Sequence, residues 1–457
     1  MNAGTTTREL PDALADGQLR ALRLQYDEVN TLTESSLRYR DPEEILAAAL
    51  QILPEPDEEA GDGFIQAMAA SKALREGRMQ RAEALAQKAL VGMQNNLHVQ
   101  SLLARATGTP DKPREGLFCR SPFENLETAP NGEVYFCCPA WLPKPIGNMK
   151  QDGAEAIWNS PAARDIRASI HDGSYRHCSR LHCPKLSGAG LERTEDIRRP
   201  DLAKLAAARR VRLERGPANV ILSHDRSCNL ACPSCRSGLV LARKDEQSAM
   251  NALVERVIFP LLADARRLRI TASGDPFGSG HFQHVLRQLF QSGNAHLKVD
   301  LQTNGLLLTP ALWQRLNLEG HVGSLIVSVD AAEAETYAKV RWPGSFEVLQ
   351  KNLSFFKDLR AENRIARFRL DFVVQTQNYQ EMSDFIGLAR ELGCDGVKFQ
   401  MIRSWGAMSP TDFAEQHIGD RGHPAYRSFV AALAVARRQA PFAEFWGMQA
   451  ALQDADA

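Results

Sequence analysis

The feature that most limits this chain is the stretch Ser227-Cys228-Asn229-Leu230-Ala231-Cys232-Pro233-Ser234-Cys235-Arg236. Three cysteines at spacing C-x3-C-x2-C can wrap one face of a small metal cluster. A [4Fe–4S] cube has four corners and is usually held by four thiolates, so a compact three-cysteine loop leaves one iron for a ligand other than protein. The other readings of the triplet are a redox pair from Cys232 and Cys235, half of a zinc site, or thiols without a role. Just upstream, Asn219-Val220-Ile221-Leu222-Ser223 reads as a short buried strand. The cysteines therefore leave from its C-terminal end, where α/β barrels place their chemistry.

From residue 219 onward apolar strands alternate with helical patterns. Strands are expected at 219–223, 269–272, 298–302, 324–329, 368–374 and 396–400, with helices near 247–263, 281–291, 310–316, 346–362 and 382–392. Strands alternating with helices in this way argue for a parallel α/β sheet over 219–406. Ahead of it lies a second cysteine-rich region, 115–186, an α+β segment in which Pro130-Asn131-Gly132-Glu133 is a hairpin turn between short strands. The hairpin brings Cys119 and Cys137 together, and Cys178 with Cys183 closes the far side, as an iron–sulfur site or a structural four-cysteine zinc site. Cys138 is the alternative to Cys137, because neighbours on a strand point opposite ways.

The N-terminal part of the chain lacks chemistry and reads either as a helical appendage packing on the catalytic domain or as a peptide-binding module. Residues 1–110 are helical, with one helix opening at Asp41-Pro42-Glu43-Glu44 and a hairpin around Glu76-Gly77-Arg78 that resembles the latter part of a tetratricopeptide repeat. A linker at 107–113, a connector at 187–218 and a helical tail at 407–457 complete the chain. His417 and His423 in that tail read as structural, and Cys394 as an apolar filler. Nine cysteines without a secretory signal argue for metal binding in a reducing, cytoplasmic compartment. Lys+Arg and Asp+Glu both number 55, so nothing in the charge calls for nucleic acid or an anionic membrane, and no apolar run is long enough to span a bilayer.

The cysteine loop on a first barrel strand resembles the radical S-adenosylmethionine (SAM) enzymes, with Ser234 where that family usually has a bulky residue. Cys119, Gly132 and Cys137 meet the C-x(9–15)-G-x4-C pattern of the SPASM/twitch auxiliary-cluster domains. Here that pattern precedes the barrel and lacks its second half, so one auxiliary cluster is expected. The resemblance implies a partial (β/α)6 barrel with a [4Fe–4S] cluster on Cys228, Cys232 and Cys235 that binds SAM. It places Gly274, Asp275 and Pro276 where the family receives the SAM amine, although Gly-Asp-Pro by itself is simply a turn. It lines the cofactor pocket with Asn304, Ser328 and Asp330, and it brings Arg341, otherwise a surface arginine, to the SAM carboxylate. Asp371 and Gln375 share one face of the fifth strand and are candidates for substrate contact; Asp371 reads equally as a satisfied core polar group.

The implied activity is cleavage of SAM to a 5′-deoxyadenosyl radical that removes hydrogen from a substrate, fed by a low-potential electron donor. The substrate class is a peptide or protein, with a carbohydrate or other small molecule as the alternative. A non-catalytic zinc-binding scaffold is the reading from a different class.

Overall fold

The computed structural model describes residues 18–20, 22–23, 26, 42–56, 58–59, 62–92, 99, 102–103, 106–107, 116–139, 141–178, 183–187, 190–270, 273–291, 296–403 and 407–456. Asp41, the linker after residue 107, Gly188, the end of the second barrel strand at 271–272 and the segment 404–406 lie outside the described residues.

The auxiliary region begins with β1 (Leu117–Phe118), β2 (Asn125–Thr128), β3 (Glu133–Tyr135) and β4 (Gly147–Asn148). After β5 (Glu192–Arg193), which pairs with β1, come the six expected barrel strands: β6 (Asn219–Leu222), β7 (Arg267–Ile270), β8 (Lys298–Thr303), β9 (Val322–Ser328), β10 (Arg367–Val374) and β11 (Gly396–Met401). The expected helices stand between them, among them Gly280–Gln291, Phe346–Ala361 and Met382–Glu391. β10 alternates outward and buried residues along its length, while β11 is buried at nearly every position, as a strand covered on both faces must be.

The sheet is wider than six strands. Its order is β12-β11-β10-β9-β8-β7-β6-β2-β3-β4. β2 pairs in parallel with β6, placing Glu127 opposite Ile221, and β12 (Ala443–Trp446) pairs in parallel with β11. Both additions cover strand edges whose N–H and C=O groups would otherwise stand open. The auxiliary region is thus continuous with the barrel sheet, its hairpin turning back at Gly132 (φ 91°), where an added Cβ would sit 2.8 Å from Asn148 Oδ1. The tail expected to be all helical has its helices, Pro410–Gln416, Tyr426–Gln439 and Gln449–Asp456, but β12 runs between the last two.

Barrel and hairpin share one apolar core, in which Leu126, Val134 and Phe136 join Val220 and Leu222. Arg167 ties the auxiliary region to the connector. Its guanidinium donates to the carbonyls of Pro122 (2.8 Å) and Val211 (2.9 Å) and lies over the rings of Phe136 and Trp158. The helices Gly63–Arg75 and Met79–Gly92 carry a separate core, where Ala67, Ala70 and Ala73 meet Ala82, Ala86 and Ala89. Small side chains let two helix axes approach closely, and Gly77 (φ 72°) makes the turn between them. Among the described residues no helix is long and apolar enough to cross a membrane.

Candidate functional site

β6 ends at Leu222, and the next residues build the cysteine loop. The Cys228 N–H donates to Val240 O (2.8 Å), and the N–H groups of Cys235 and Arg236 both donate to Cys232 O (2.9 and 3.1 Å). Each sulfur faces an N–H donor: Leu230 N (3.4 Å) and Asn304 Nδ2 (3.8 Å) on Cys228, an Arg341 guanidinium nitrogen (3.9 Å) on Cys232, and an Arg236 guanidinium nitrogen (3.6 Å) on Cys235. Such donors favour sulfur carrying negative charge. Cys228 and Cys232 are buried and Cys235 is exposed. Burial, with Asp275 next, raises the Cys228 thiol to about 11, and burial raises Cys232 as well; a bound metal must therefore displace their protons.

Below the loop the packing is tight. A Cβ at Gly274 would lie 2.5 Å from Ser227 O and 2.7 Å from Asp225 O. Asp225 accepts from the Ser227 N–H and hydroxyl (2.9 and 2.8 Å) and from the Ser279 hydroxyl. Next to it His224 Nε2 and His281 Nε2 are 2.8 Å apart, so one of them is a donor and the other an unprotonated acceptor. The chain continues from His281 to Asn251 Oδ1 (2.6 Å) and from His224 to the Thr128 hydroxyl (2.8 Å) on β2, so it joins hairpin to barrel. Burial lowers both histidines, His281 to about 4.

A cavity of about 460 Å³ opens beside the loop, lined by Cys232 and Cys235, by Ser328, Asp330, Arg341 and Asp371, and by Glu127, Tyr135 and Cys138 of the hairpin. Asp330, two residues past β9, sits in the left-handed region (φ 64°), held by an ion pair to Arg341 (2.7 Å) and by the Val373 N–H (2.7 Å). Gly274, Asp275, Pro276, Asn304 and Gln375 lie outside the cavity wall. The Asp275 carboxylate already accepts four hydrogen bonds, from Phe277 N and Gly278 N on one oxygen and from the Thr303 hydroxyl and Asn304 N on the other. It clamps the loop after β7 to the end of β8. Asn304 bridges from there to Cys228 and to Asn229 Oδ1 (2.9 Å).

The hairpin cysteines form a second group. Burial pushes the Cys137 thiol well above its ordinary range, with Cys119, Cys178, Cys183 and Cys138 adding in that order. Of the two neighbours, Cys138 lines the cavity beside the barrel cysteines and Cys137 does not. Among the described residues no three His, Cys, Asp or Glu side chains are arranged to hold a single metal ion. A four-iron cube spaces its sulfurs more widely than one tetrahedral ion does.

Residues 119–184 match the SPASM family, an iron–sulfur cluster-binding domain. An AdoMet-dependent heme synthase of Methanosarcina barkeri is 30% identical over 167 residues, covering 36% of this chain and 45% of that protein. The protein of the same name from Nitratidesulfovibrio vulgaris is 26% identical over 175 residues, 37% and 43% of the two chains. The SPASM match lies ahead of the parallel strands in the chain, and the relatives that the chain resembles are named for AdoMet-dependent chemistry. The chain spans less than half the length of the curated relatives it matches. Streptococcus suis SuiB bound to S-adenosylmethionine superposes with a TM-score of 0.35 at 14% identity, over 55% of this chain and 56% of that one.

Iron–sulfur clusters and S-adenosylmethionine are the cofactors these likenesses point to, and the residues present suit them. Cys232 and Cys235, each with an N–H donor on its sulfur, line the cavity, and two buried polar atoms, Arg341 Nε and the Tyr337 hydroxyl, have no partner among the described residues. The arginine fork and the phenol are donors suited to a carboxylate or ribose oxygen. Sequence reasoning missed Glu127, Tyr135, Arg226 and Lys398 as cavity residues. The hairpin was legible as a hairpin, but no local signal places β2 beside β6.

Proposed function

We propose that this protein is a radical SAM enzyme that modifies a peptide or protein substrate held in the cavity between the SPASM hairpin and the barrel. Cys228, Cys232 and Cys235 hold the SAM-binding cluster, and Cys119, Cys137, Cys178 and Cys183 hold the auxiliary one. When bound, the barrel cluster and SAM supply a radical able to take hydrogen from an unactivated carbon. The observation that carries the reading is that both domains line one cavity.

The chain's own residues have distinct tasks there. Arg341, fixed by Asp330, offers its free Nε to the SAM carboxylate, and Tyr337 donates from the same side. Gly274 and the Ser273 carbonyl bring backbone acceptors against the cysteine loop, the part a cationic amine needs, since the Asp275 carboxylate is taken up internally. The hairpin face with Tyr135 walls the cavity from solvent and limits quenching.

A small-molecule substrate is the second reading, favoured by the relatives named for heme synthesis. The activity is tested by anaerobic incubation with SAM and a strong reductant, following 5′-deoxyadenosine. Wild type is expected to form it and the Cys228/Cys232/Cys235→Ala variant to form none; equal yields would refute the assignment. Incubation with peptide or tetrapyrrole then separates the two substrates by which product changes mass.

A further inference from the structure

Among the described residues, every charged side chain of the cavity wall but one is already engaged. Asp330 is paired with Arg341 (2.7 Å) and Asp371 with Arg369 (2.7 and 3.0 Å). Arg236 donates to the carbonyls of Arg226 (2.8 Å) and Ser273 (3.0 Å), and Arg226, Lys398 and Arg403 have interactions of their own. Glu127 on β2 lines the same wall and has neither a hydrogen bond nor an ion pair among the described residues. Tyr135, opposite it on β3, does not supply one, because its hydroxyl donates to Glu133. The charge that acts on Glu127 is Arg269, two strands away across Ile221, and burial outweighs that pull and raises the carboxyl to about 7. At neutral pH about half of the molecules therefore enclose an unpaired carboxylate. That state is costly unless a cation shares the space.

A second group without a partner stands on the neighbouring strand. Ser223, the residue after β6, lines the same cavity, is 1% exposed, and its hydroxyl has no partner among the described residues. Its backbone is held on both sides: the N–H donates to the Thr128 hydroxyl (3.2 Å) and the carbonyl accepts from the Ser273 hydroxyl (2.5 Å). Glu127 pairs in register with Ile221, two residues before Ser223. The period of two along a strand therefore puts Glu127 and Ser223 on the same face of adjacent strands, one diagonal step apart.

We propose that Glu127 and Ser223 bind an ammonium group of the substrate at the hairpin side of this cavity, an assignment that rests on the reading of the cavity as a radical SAM site. A primary ammonium has three donors and no acceptor, so it can give one hydrogen to the carboxylate and one to the hydroxyl at once. The carboxylate supplies the charge-assisted bond and the hydroxyl fixes the direction of approach. The ammonium belongs to a lysine side chain of a peptide or to a small amine.

The test is calorimetric titration of the cluster-loaded full chain with SAM present, so that the amine of SAM is already in place. The probes are n-butylamine with butan-1-ol, and acetyl-Ala-Lys-Ala-amide with its norleucine counterpart. An amine is expected to bind while its uncharged counterpart does not, and to bind more weakly as salt rises. Tighter binding of the peptide identifies a peptide as the source, and equal or tighter binding of butylamine a small amine. At pH 7 binding should release about half a proton, read from titrations in phosphate and Tris, whose heats of ionisation differ. Glu127→Gln should abolish that release and weaken the amine by about tenfold, and Ser223→Ala should weaken it by about fivefold. Equal binding of amine and counterpart, no binding of either amine, or undiminished affinity and proton release in Glu127→Gln would overturn the subsite. The amine–alcohol comparison on wild type stands even where a variant fails to fold. SAM cleavage by the same wild-type sample is scored separately: amine binding without cleavage keeps the subsite and removes the radical reading, and cleavage without amine binding does the reverse.

Discussion

Gly274 has no room for even one more carbon, because its Cα faces the carbonyls of Ser227 and Asp225 at the base of the cysteine loop. Gly274→Ala must push the loop outward, at a cost of about 1–3 kcal/mol. The expected result is a protein that loses about four irons from the barrel site and keeps the hairpin cluster; iron analysis after anaerobic reconstitution checks it, and full iron content would show that the loop can shift. Arg341 is the residue whose sequence neighbourhood said least about its surroundings, since an arginine after a helix is ordinarily solvated. Here it is paired with Asp330 and faces Cys232. Arg341→Ala should weaken SAM binding by about tenfold or more, read by equilibrium dialysis, and unchanged affinity would remove the role. Spacing singled out the three barrel cysteines as one set, because all three lie within one loop. It did not make the choice between Cys137 and Cys138 legible, because adjacent residues differ only in which way the strand presents them.

At the level of elements, the six central strands followed from apolar runs separated by helical periodicity, which are local properties. The pairing of β2 with β6 joins residues about ninety positions apart (Asn125 with Asn219) and leaves no local trace. β12 is four residues long and passed as part of a helical tail. The β2–β6 junction also contains the buried chain Thr128–His224–His281–Asn251, and its protonation has a direction. Burial depresses His281 to about 4, below the ordinary 6.5. The unfolded chain therefore takes up a proton that the folded chain refuses, and stability is lost as pH falls from 6.5 toward that value. The full loss from this one group is about 3 kcal/mol. Denaturant unfolding between pH 7 and pH 4 should show this slope. His281→Gln should flatten it by about one proton, and an unchanged slope would place the titration elsewhere, among the other depressed histidines such as His224 and His417.

Across the whole molecule, an auxiliary domain that precedes its barrel in sequence still reaches the barrel cavity, because its hairpin extends the sheet on the β6 side. The two groups of cysteines remain distinct: one follows β6, the other sits on the hairpin and the segment after the helix Pro161–His171. Replacing Cys119 and Cys183 with Ala is therefore expected to remove the auxiliary iron and leave the barrel cluster, and loss of both would argue for one shared site. The direct test of the account is iron, acid-labile sulfide and zinc content of the anaerobically purified wild type and of the Cys228/Cys232/Cys235→Ala variant. About eight irons with matching sulfide, falling to about four in the variant, is the result that two four-iron clusters require. Zinc in both proteins, with iron and sulfide absent from each, would contradict it.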